Sequence, residues 1–440
     1  MKILEGIRKA PSFLAYLSVS FLVVAAGEAR ADLNYTTNNG ALTVESYTGT
    51  NTVVDIPATF NGQPVVSLGD AAFEFGSVTS VTIPGSVTNI GQYVFEACGS
   101  LTNAPIPASV VSIGTGAFAG CAGLTSIIIP NSVTTLGGSA FATCSGATNI
   151  VLTTNITAIP ADAFDNCSSL KSFTIPSEIT SIGSEAFQGC SSLTNIVIPT
   201  NVTTLGSSAF SGAGLRSITI PDSVTSIGTF EFDYCSYLMA INVDPANPNY
   251  SSVGGVLFDK SQDTLIAFPG GVTGSYTIPG TVAAIGNNAF EDCADLYTVT
   301  IPPSVTSIGS YAFSGCTDLQ SIYCQGNAPS FSFDVFDNVS PAAAVYYLPG
   351  TTGWTSTFAS LPTKIQNAPP QISAIAIQNK LFSFTCTSSS NQVAIVQACT
   401  NLANPTWVPV QTNILTGASF NFTDSQSQDY SQRFYRVSIP

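Results

Sequence analysis

Apolar residues recur along this chain with a step of 23 residues between Ile83 and Pro302. The repeating phrase is clearest over residues 175–193, which read IPSEITSIGSEAFQGCSSL. The positions that keep the step are Phe95, Phe118, Phe141, Phe164 and Phe187, with Cys98, Cys121, Cys144, Cys167 and Cys190; the series continues with small slips through Phe210, Phe232, Phe290 and Phe313, and through Cys235, Cys293 and Cys316. A step of this length, carried by apolar positions, is typical of a solenoid.

Each repeat contains a segment in which buried and exposed positions are expected to alternate. In Leu193–Ile198, the side chains of Ile196 and Ile198 share one face. Asn195 and Val197 point the other way, which predicts a short strand that a proline ends. About six large apolar groups per repeat, worth ~1.5–3 kcal/mol each on burial, oppose an ordering cost of ~1 kcal/mol or more per residue. A single repeat therefore cannot fold alone, and the array must be cooperative and capped.

The repeats resemble the BspA-like leucine-rich repeats of bacterial and protist surface proteins, which read I-P-x-S-V-T-x-I-G-x-x-A-F-x-x-C-x-x-L-x-x-I-x-I-P. The resemblance covers roughly residues 33–366 and implies a mainly β fold, a leucine-rich-repeat solenoid with a sheet of short strands. Three positions depart from the pattern: Pro105 lies inside a strand, Ala147 replaces a leucine, and one residue is missing near Ala213. These departures weaken packing locally and leave the resemblance intact.

The same resemblance divides the chain into regions. They are an N-terminal cap at 32–69, a solenoid at 70–325 that carries a long insert loop at 244–277, and a C-terminal cap at 326–366. Asn39-Gly40 is expected to form the hairpin turn of the N-terminal cap.

Beyond the cap the rhythm of the repeats stops. Residues 367–370, Asn-Ala-Pro-Pro, have the composition of a linker. Short alternating segments separated by turns then predict a small antiparallel β-sandwich at 371–440. The sequences TNL at 400–402, FTD at 422–424 and RFYRV at 433–437 resemble a terminal β-module of secreted proteins from some environmental bacteria. Sorting, surface anchoring and a stable tail all remain open as roles for this module.

The first 31 residues resemble an export signal, because basic residues precede an apolar run and Ala29-Arg30-Ala31 offers small residues for cleavage after Ala31. A membrane anchor is the alternative, but the run is shorter than the ~20 residues of a span. Without this leader the chain keeps 7 basic and 24 acidic residues, a net charge of −17. Such a surface repels nucleic acid and anionic lipid, and no later stretch is long enough to span a membrane.

Candidate catalytic and metal-binding groups are few. The chain has no histidine, which removes the usual imidazole base and the commonest zinc and copper ligand. Asp244, Asp259 and Asp263 lack the context of a glycosidase pair and are interpreted as solvated loop residues. The sequence therefore predicts a protein that is not an enzyme, with no cofactor and no metal.

Cysteine is abundant for an exported protein, and two interpretations compete. The repeated cysteines are expected to be free thiols packed beside the phenylalanines, because their side chains point in parallel toward the core. Cys386 and Cys399 are the better disulfide candidates. Whether that pair is bridged stays open.

Two sets of residues are candidates for ligand binding. The first lies on the outward face of the strands and includes Thr174, Asn195 and Thr219, although small polar and β-branched residues are also what exposed strand positions prefer. The second is an aromatic group beside the insert, comprising Phe230, Tyr234 and Tyr237. The function predicted is a secreted or cell-surface adhesion-type protein that binds an extracellular protein or polysaccharide through its repeats; a structural spacer without a ligand is the alternative.

Overall fold

The computed structural model describes residues 32–152, 155–366, 371–378, 381–388, 393–403, 405–414 and 419–438. The predicted leader and linker lie outside these residues. The chain forms two compact units. The first comprises the described residues up to Leu215 together with Ser226–Glu231, and the second comprises Arg216–Thr225 and the described residues from Phe232 onward.

The described residues form 35 strands and one short 3₁₀ helix. In the N-terminal half these are β1 Leu33–Asn38, β2 Ala41–Tyr47, β3 Val53–Asp55, β4 Thr59–Phe60, β5 Gln63–Leu68, β6 Ser80–Thr82, β7 Asn89–Ile90, β8 Ser112–Ile113, β9 Ser126–Ile128, β10 Thr135–Leu136, β11 Asn149–Val151, β12 Ala158–Ile159, β13 Ser181–Ile182 and β14 Thr204–Leu205. There follow β15 Ser217–Ile220, β16 Ser226–Ile227, β17 Ala240–Val243, β18 Tyr250–Val253, β19 Val256–Asp259, β20 Thr264–Ala267, β21 Gly274–Thr277, β22 Ala284–Ile285, β23 Leu296–Ile301, β24 Ser307–Ile308, β25 Ser321–Cys324, β26 Ser330–Phe331, β27 Ala344–Tyr347, β28 Thr357–Phe358 and β29 Leu361–Ile365. The C-terminal strands are β30 Gln371–Gln378, β31 Leu381–Thr387, β32 Val393–Cys399, β33 Val408–Ile414, β34 Ser419–Asp424 and β35 Phe434–Ser438, with the 3₁₀ helix at Ser427–Asp429.

The first unit is a stack of coils, and the prediction of a β-solenoid is confirmed. Each coil contributes to parallel ladders, such as β9 with β11 in the main ladder and β12 with β13 and β14 in a second one. At the N-terminal end, β1 and β2 form an antiparallel hairpin, and Asn39 and Gly40 adopt φ of 49° and 80° in its turn. The predicted hairpin turn is therefore confirmed, and β2 joins the ladder by pairing in parallel with β5.

The main ladder of the first unit has gaps. The ladder is interrupted at Pro105, which has no N–H to donate. In this coil Asn103 makes only an isolated bridge, to Ser80. The predicted strand at 193–198 is wrong: its side chains alternate between buried and exposed, but the segment lies outside the strands. In the neighbouring coil the Phe173 ring packs 5.1 Å from Phe164 and 5.0 Å from Phe187, centroid to centroid.

The second unit continues the same pattern of parallel ladders through β15 and β17 and through β21, β23, β25, β27 and β29. Its insert is not an open loop. Strands β18 and β19 form a hairpin, β19 pairs with β20, and Leu257, Phe258 and Leu265 are fully buried. The insert is therefore part of the core of this unit.

One coil of the second unit is short. In register, Thr264 of β20 lies opposite Ala284 of β22, a step of 20 residues, whereas Ala284 lies opposite Ser307, a step of 23. The three missing residues shorten the turn that in other coils carries the F-x-x-C sequence. Phe268 still stacks on Phe290, with ring centroids 4.9 Å apart, so the core remains continuous within this unit.

Stacked aromatic rings form the interior of both units. In the first unit the rings of Phe73 to Phe210 lie on their copies in the next coil at centroid separations of 5.1–6.2 Å. Tyr47 of the N-terminal hairpin stacks on Phe73 at 5.3 Å. In the second unit Phe358 ends the stack by packing against Phe336. Stacked aromatic side chains thus make the interior of each unit largely apolar.

The C-terminal region is a small antiparallel sandwich, as predicted. One sheet has the order β30-β31-β34 and the other has β33-β32-β35. Its core consists of Phe384, Cys386, Val396 and Phe422. All eleven cysteines of the chain are buried and none forms a disulfide, Cys386 and Cys399 included.

Candidate binding surfaces

A row of exposed side chains on the first unit is largely apolar. Ile128 and Val151 face each other in register on β9 and β11 and are 61% and 44% exposed. The row continues outside the strands through polar Thr174 to Val197, which is 72% exposed. Polar side chains border this row, and the Asn149 amide donates a hydrogen bond to Ser126 Oγ at 3.4 Å. Exposed apolar side chains that adjoin one another, as Ile128 and Val151 do, mark a candidate interaction surface.

The apolar row adjoins a pocket at the gap that follows Pro105. This pocket has a volume of about 310 Å³. Its walls include Leu124, Phe118 and Phe141 from the core and Ile128 from the exposed row. The pocket at the Pro105 gap thus lies next to a surface that is already apolar, while Phe118 and Phe141 themselves stay buried.

The six predicted binding residues are all exposed. Thr174, Asn195 and Phe230 belong to the first unit, and Thr219, Tyr234 and Tyr237 belong to the second. Neither Thr174 nor Asn195 lies in a strand, whereas Thr219 lies on β15 opposite Asn242 of β17. Their role in binding remains a prediction.

Phe230 and Tyr234 lie at two turn positions that are left-handed in most coils. Their φ angles are 60° and 58°. Glu185 and Ser208 occupy the position of Phe230 in other coils, with φ of 58° and 57°. Gly189 occupies the position of Tyr234, with φ of 65°. The left-handed turn is thus a regular feature of the coil, and Phe230 and Tyr234 differ from the others in presenting exposed aromatic rings there.

The short coil creates a cluster of acidic residues that sequence reasoning missed. Gly270 lies in this coil, where an added Cβ would meet the carbonyl oxygens of both Cys235 and Asp292 within 4 Å. Because the turn between them is so small, Asp233 of the preceding coil hydrogen-bonds to Glu291 of the following one. Tyr234 likewise donates a hydrogen bond to Asp292.

Burial and mutual repulsion control the protonation of this cluster. Asp233 is only 8% exposed. Burial, and then the charge of Glu291, raises its pKa to about 8. Burial, and then the charge of Glu291, also raises the pKa of Asp292 to about 6. The negative charge of Asp292 raises the pKa of Tyr234 above its usual value.

This geometry is that of a hydrogen-bonded pair of carboxyl groups. A glycosidase needs its two acids ~5–10 Å apart across a substrate cleft, whereas Asp233 and Glu291 are bonded to each other. Within the described residues, no group of three acidic or cysteine side chains is arranged to hold a metal ion. Two of the aspartates that were considered as glycosidase candidates stabilise turns of the insert. Asp244 accepts a hydrogen bond from Ala246 N, and Asp259 accepts one from Thr264 N.

The repeated cysteines have a specific role in joining coils. Six of these thiols donate to the backbone carbonyl of a phenylalanine in the preceding coil, with Sγ···O distances of 3.0–3.3 Å for Cys98 to Phe73, Cys121 to Phe95, Cys144 to Phe118, Cys167 to Phe141, Cys190 to Phe164 and Cys316 to Phe290. Burial raises the pKa of Cys167 to about 12. The Cys167 thiol is therefore protonated and acts as a donor within the core.

Coils with short strands in two parallel ladders, tight turns and a stacked phenylalanine, repeated through both units, define a leucine-rich-repeat protein. The chain belongs to the family described as BspA type leucine rich repeat region, whose model matches residues 66–180, 157–274 and 267–389. The family resemblance drawn from the sequence is confirmed.

Two solved structures share this fold. A leucine-rich cell surface protein of Faecalibacterium prausnitzii is 29% identical, with a TM-score of 0.54 over 74% of this chain and 90% of that one. A leucine-rich repeat protein of Bacteroides ovatus is 28% identical, with a TM-score of 0.50 over 74% of this chain and 95% of that one. No curated protein matches this chain. Within the residues described, helices of the length and apolarity required to cross a bilayer are absent.

Proposed function

We propose that this chain is an exported, cell-surface protein without enzymatic activity, which binds an extracellular protein or polysaccharide through its repeat array. Membership of the BspA type family supports a surface repeat protein. The related protein of Faecalibacterium prausnitzii is described as a cell surface protein. Export is supported by the leader sequence at 1–31, and the net charge of −17 without it disfavours nucleic acid as the partner.

The observation that carries the proposal is the exposed apolar row of Ile128, Val151 and Val197. The row adjoins the pocket at the Pro105 gap. Protein interfaces place apolar anchors in pockets and surround them with polar contacts. Here the Ser126 and Asn149 side chains supply the polar border, and the pocket is large enough for a side chain of the partner. This combination favours a protein over a polysaccharide.

Two exposed aromatic residues add to this argument. Phe230 and Tyr234 are 43% and 65% exposed. Aromatic residues are enriched at interfaces, so these two rings are suited to contact a partner.

A pair of valines tests the proposal. Val151 lies in the apolar row and Val111 lies outside it, yet both are 44% exposed and both belong to the first unit. The purified protein is tested by biolayer interferometry against a panel of matrix proteins and polysaccharides. We expect Val151→Asp to weaken binding at least about tenfold, a loss of ~1.4 kcal/mol, and Val111→Asp to leave it unchanged. Equal behaviour of the two variants contradicts a role for the row.

The alternative function is a structural spacer without a ligand. It predicts that no member of the panel binds the protein and that Val151→Asp has no effect beyond stability. Turnover of a glycan or peptide by the purified protein would instead favour an enzyme. Deletion of the insert does not separate these functions, because Leu257, Phe258 and Leu265 belong to the core.

A further inference from the structure

The C-terminal sandwich contains a cavity of about 630 Å³. Both sheets contribute to it: Cys399 comes from β32, Gln411 from β33, and Phe422 and Asp424 from β34. Arg433, just before β35, also lines it. Ligand sites in proteins have volumes of ~300–1,000 Å³, with an apolar wall and a few polar groups that fix orientation. The cavity lies within this range.

Arg433 is the group that marks the cavity as a site. Its side chain is only 10% exposed, and its Nη1 lies 3.0 Å from Asp424 Oδ2. The guanidinium also lies over the Tyr430 ring, 4.4 Å from the centroid. Despite the ion-pair distance, Nη1 is not aligned for a hydrogen bond and has no acceptor among the described residues. A buried donor left in this state costs ~1–3 kcal/mol.

Asp424 also accepts hydrogen bonds from two other donors. Its Oδ2 accepts from the Tyr435 hydroxyl at 2.7 Å, and its Oδ1 accepts from Gln426 N at 2.9 Å. The carboxylate therefore balances the charge of Arg433 but does not supply the missing acceptor. An oxygen atom of a ligand can supply it.

The charges in the cavity select the kind of ligand. Because Asp424 already neutralises Arg433, an anionic ligand would bring an uncompensated negative charge next to the buried Asp424 carboxylate, which is costly. A neutral ligand rich in oxygen avoids this cost. Thr400, Thr406, Gln411, Thr423 and Gln426 line the cavity and offer both donors and acceptors.

We infer that the C-terminal module binds a neutral sugar of one or two residues, with an oxygen atom of the sugar accepting a hydrogen bond from Arg433. The hydroxyl groups of a sugar match the mixture of donors and acceptors in the lining, and Phe422 provides an apolar wall. This site is separate from the repeat surface and does not depend on the function proposed for it.

The test uses the purified full chain and isothermal titration calorimetry. The probes are glucose, galactose, mannose, N-acetylglucosamine and their common disaccharides, with glucuronate as the charged counterpart of glucose and blocked tripeptides as non-sugar probes. We expect at least one neutral sugar to bind with a millimolar or tighter Kd, and glucuronate to bind at least about tenfold more weakly than glucose if glucose is that sugar.

Two threonines provide matched variants. Thr406 lines the cavity, whereas Thr412 on β33 does not, and both are exposed. Thr406→Trp fills the cavity and should weaken sugar binding at least about tenfold, while Thr412→Trp should leave it unchanged. Neither substitution touches the Arg433–Asp424 pair, so both variants should fold, which near-UV circular dichroism checks. Val151→Asp, which tests the repeat surface, should not affect the sugar.

Several outcomes overturn the inference. If no sugar binds, the cavity holds water alone. If the tripeptides bind and the sugars do not, the ligand is a peptide. Equal sugar affinity of the Thr406→Trp and Thr412→Trp variants places the sugar elsewhere on the chain.

Discussion

The repeat array and the C-terminal module build their interiors in different ways. In the array each apolar side chain packs on its copy in the next coil, as Phe164 does between Phe141 and Phe187 at centroid separations of 6.2 and 5.6 Å. In the module the buried Asp424 receives an ion pair from Arg433 and a hydrogen bond from Tyr435. Many equivalent contacts thus stabilise the array, whereas the stability of the module depends on one polar cluster around Asp424.

The largest expected effect comes from breaking the ring stack. Phe164→Ala leaves a cavity between two coils and should lower the free energy of unfolding by about 3–5 kcal/mol. Urea unfolding followed by far-UV circular dichroism measures the loss. Phe75→Ala is the control, because Phe75 is 73% exposed. An equal loss in both variants would show that the stack is not the stabilising element.

The next largest effect comes from the polar cluster around Asp424 in the module. Asp424→Ala leaves Arg433 buried without a counterion and should cost the module about 3 kcal/mol. Trp407 fluorescence reports on the module alone when Trp354, the other tryptophan, is replaced by phenylalanine. Asp429→Ala, at an exposed position, is the control. If the array unfolds earlier as well, the two interiors are coupled and the comparison fails.

A smaller, pH-dependent effect tests the buried acidic cluster of the array. Because the pKa of Asp233 is raised to about 8 from ~3.9 in the unfolded chain, its contribution to stability is fully present below about pH 4 and is lost as the pH rises toward 8. Asp233→Asn removes this titration. Between about pH 5 and pH 8, the free energy of unfolding of the variant should therefore rise relative to that of the wild type, by on the order of 1–2 kcal/mol.

Urea unfolding at several pH values measures this gain. Asp295→Asn is the matched control, because Asp295 is exposed in the same region of the second unit. A difference between wild type and Asp233→Asn that does not change with pH would mean that Asp233 is ionised in the folded protein.

The comparison also explains what could be predicted from the sequence. Phe164 and Cys167 were predicted as core residues because every coil repeats the same environment, so that position in the repeat determines burial. The short coil around Phe268 was missed, because that phenylalanine is followed by Pro-Gly-Gly and lacks the cysteine that marks the other repeats. A signal for the acidic cluster was present: both F-x-x-C turns beside it, at 232–235 and 290–293, carry acids.

In the module, periodicity could predict strands but not their partners. Asp424 and Arg433 lie in sequences that were singled out as typical of a terminal β-module. Their pairing depends on how two sheets meet, which no local pattern records.

The thiol ladder has a consequence for how this protein can be made. Cys98, Cys121 and Cys144 are held as hydrogen-bond donors to the preceding coil, and burial raises the pKa of each. Folding therefore requires neither an oxidant nor a disulfide isomerase. A chain of this kind can reach its native state in a reducing cytosol and keep it in air, because oxidation of the thiols must wait until a coil opens.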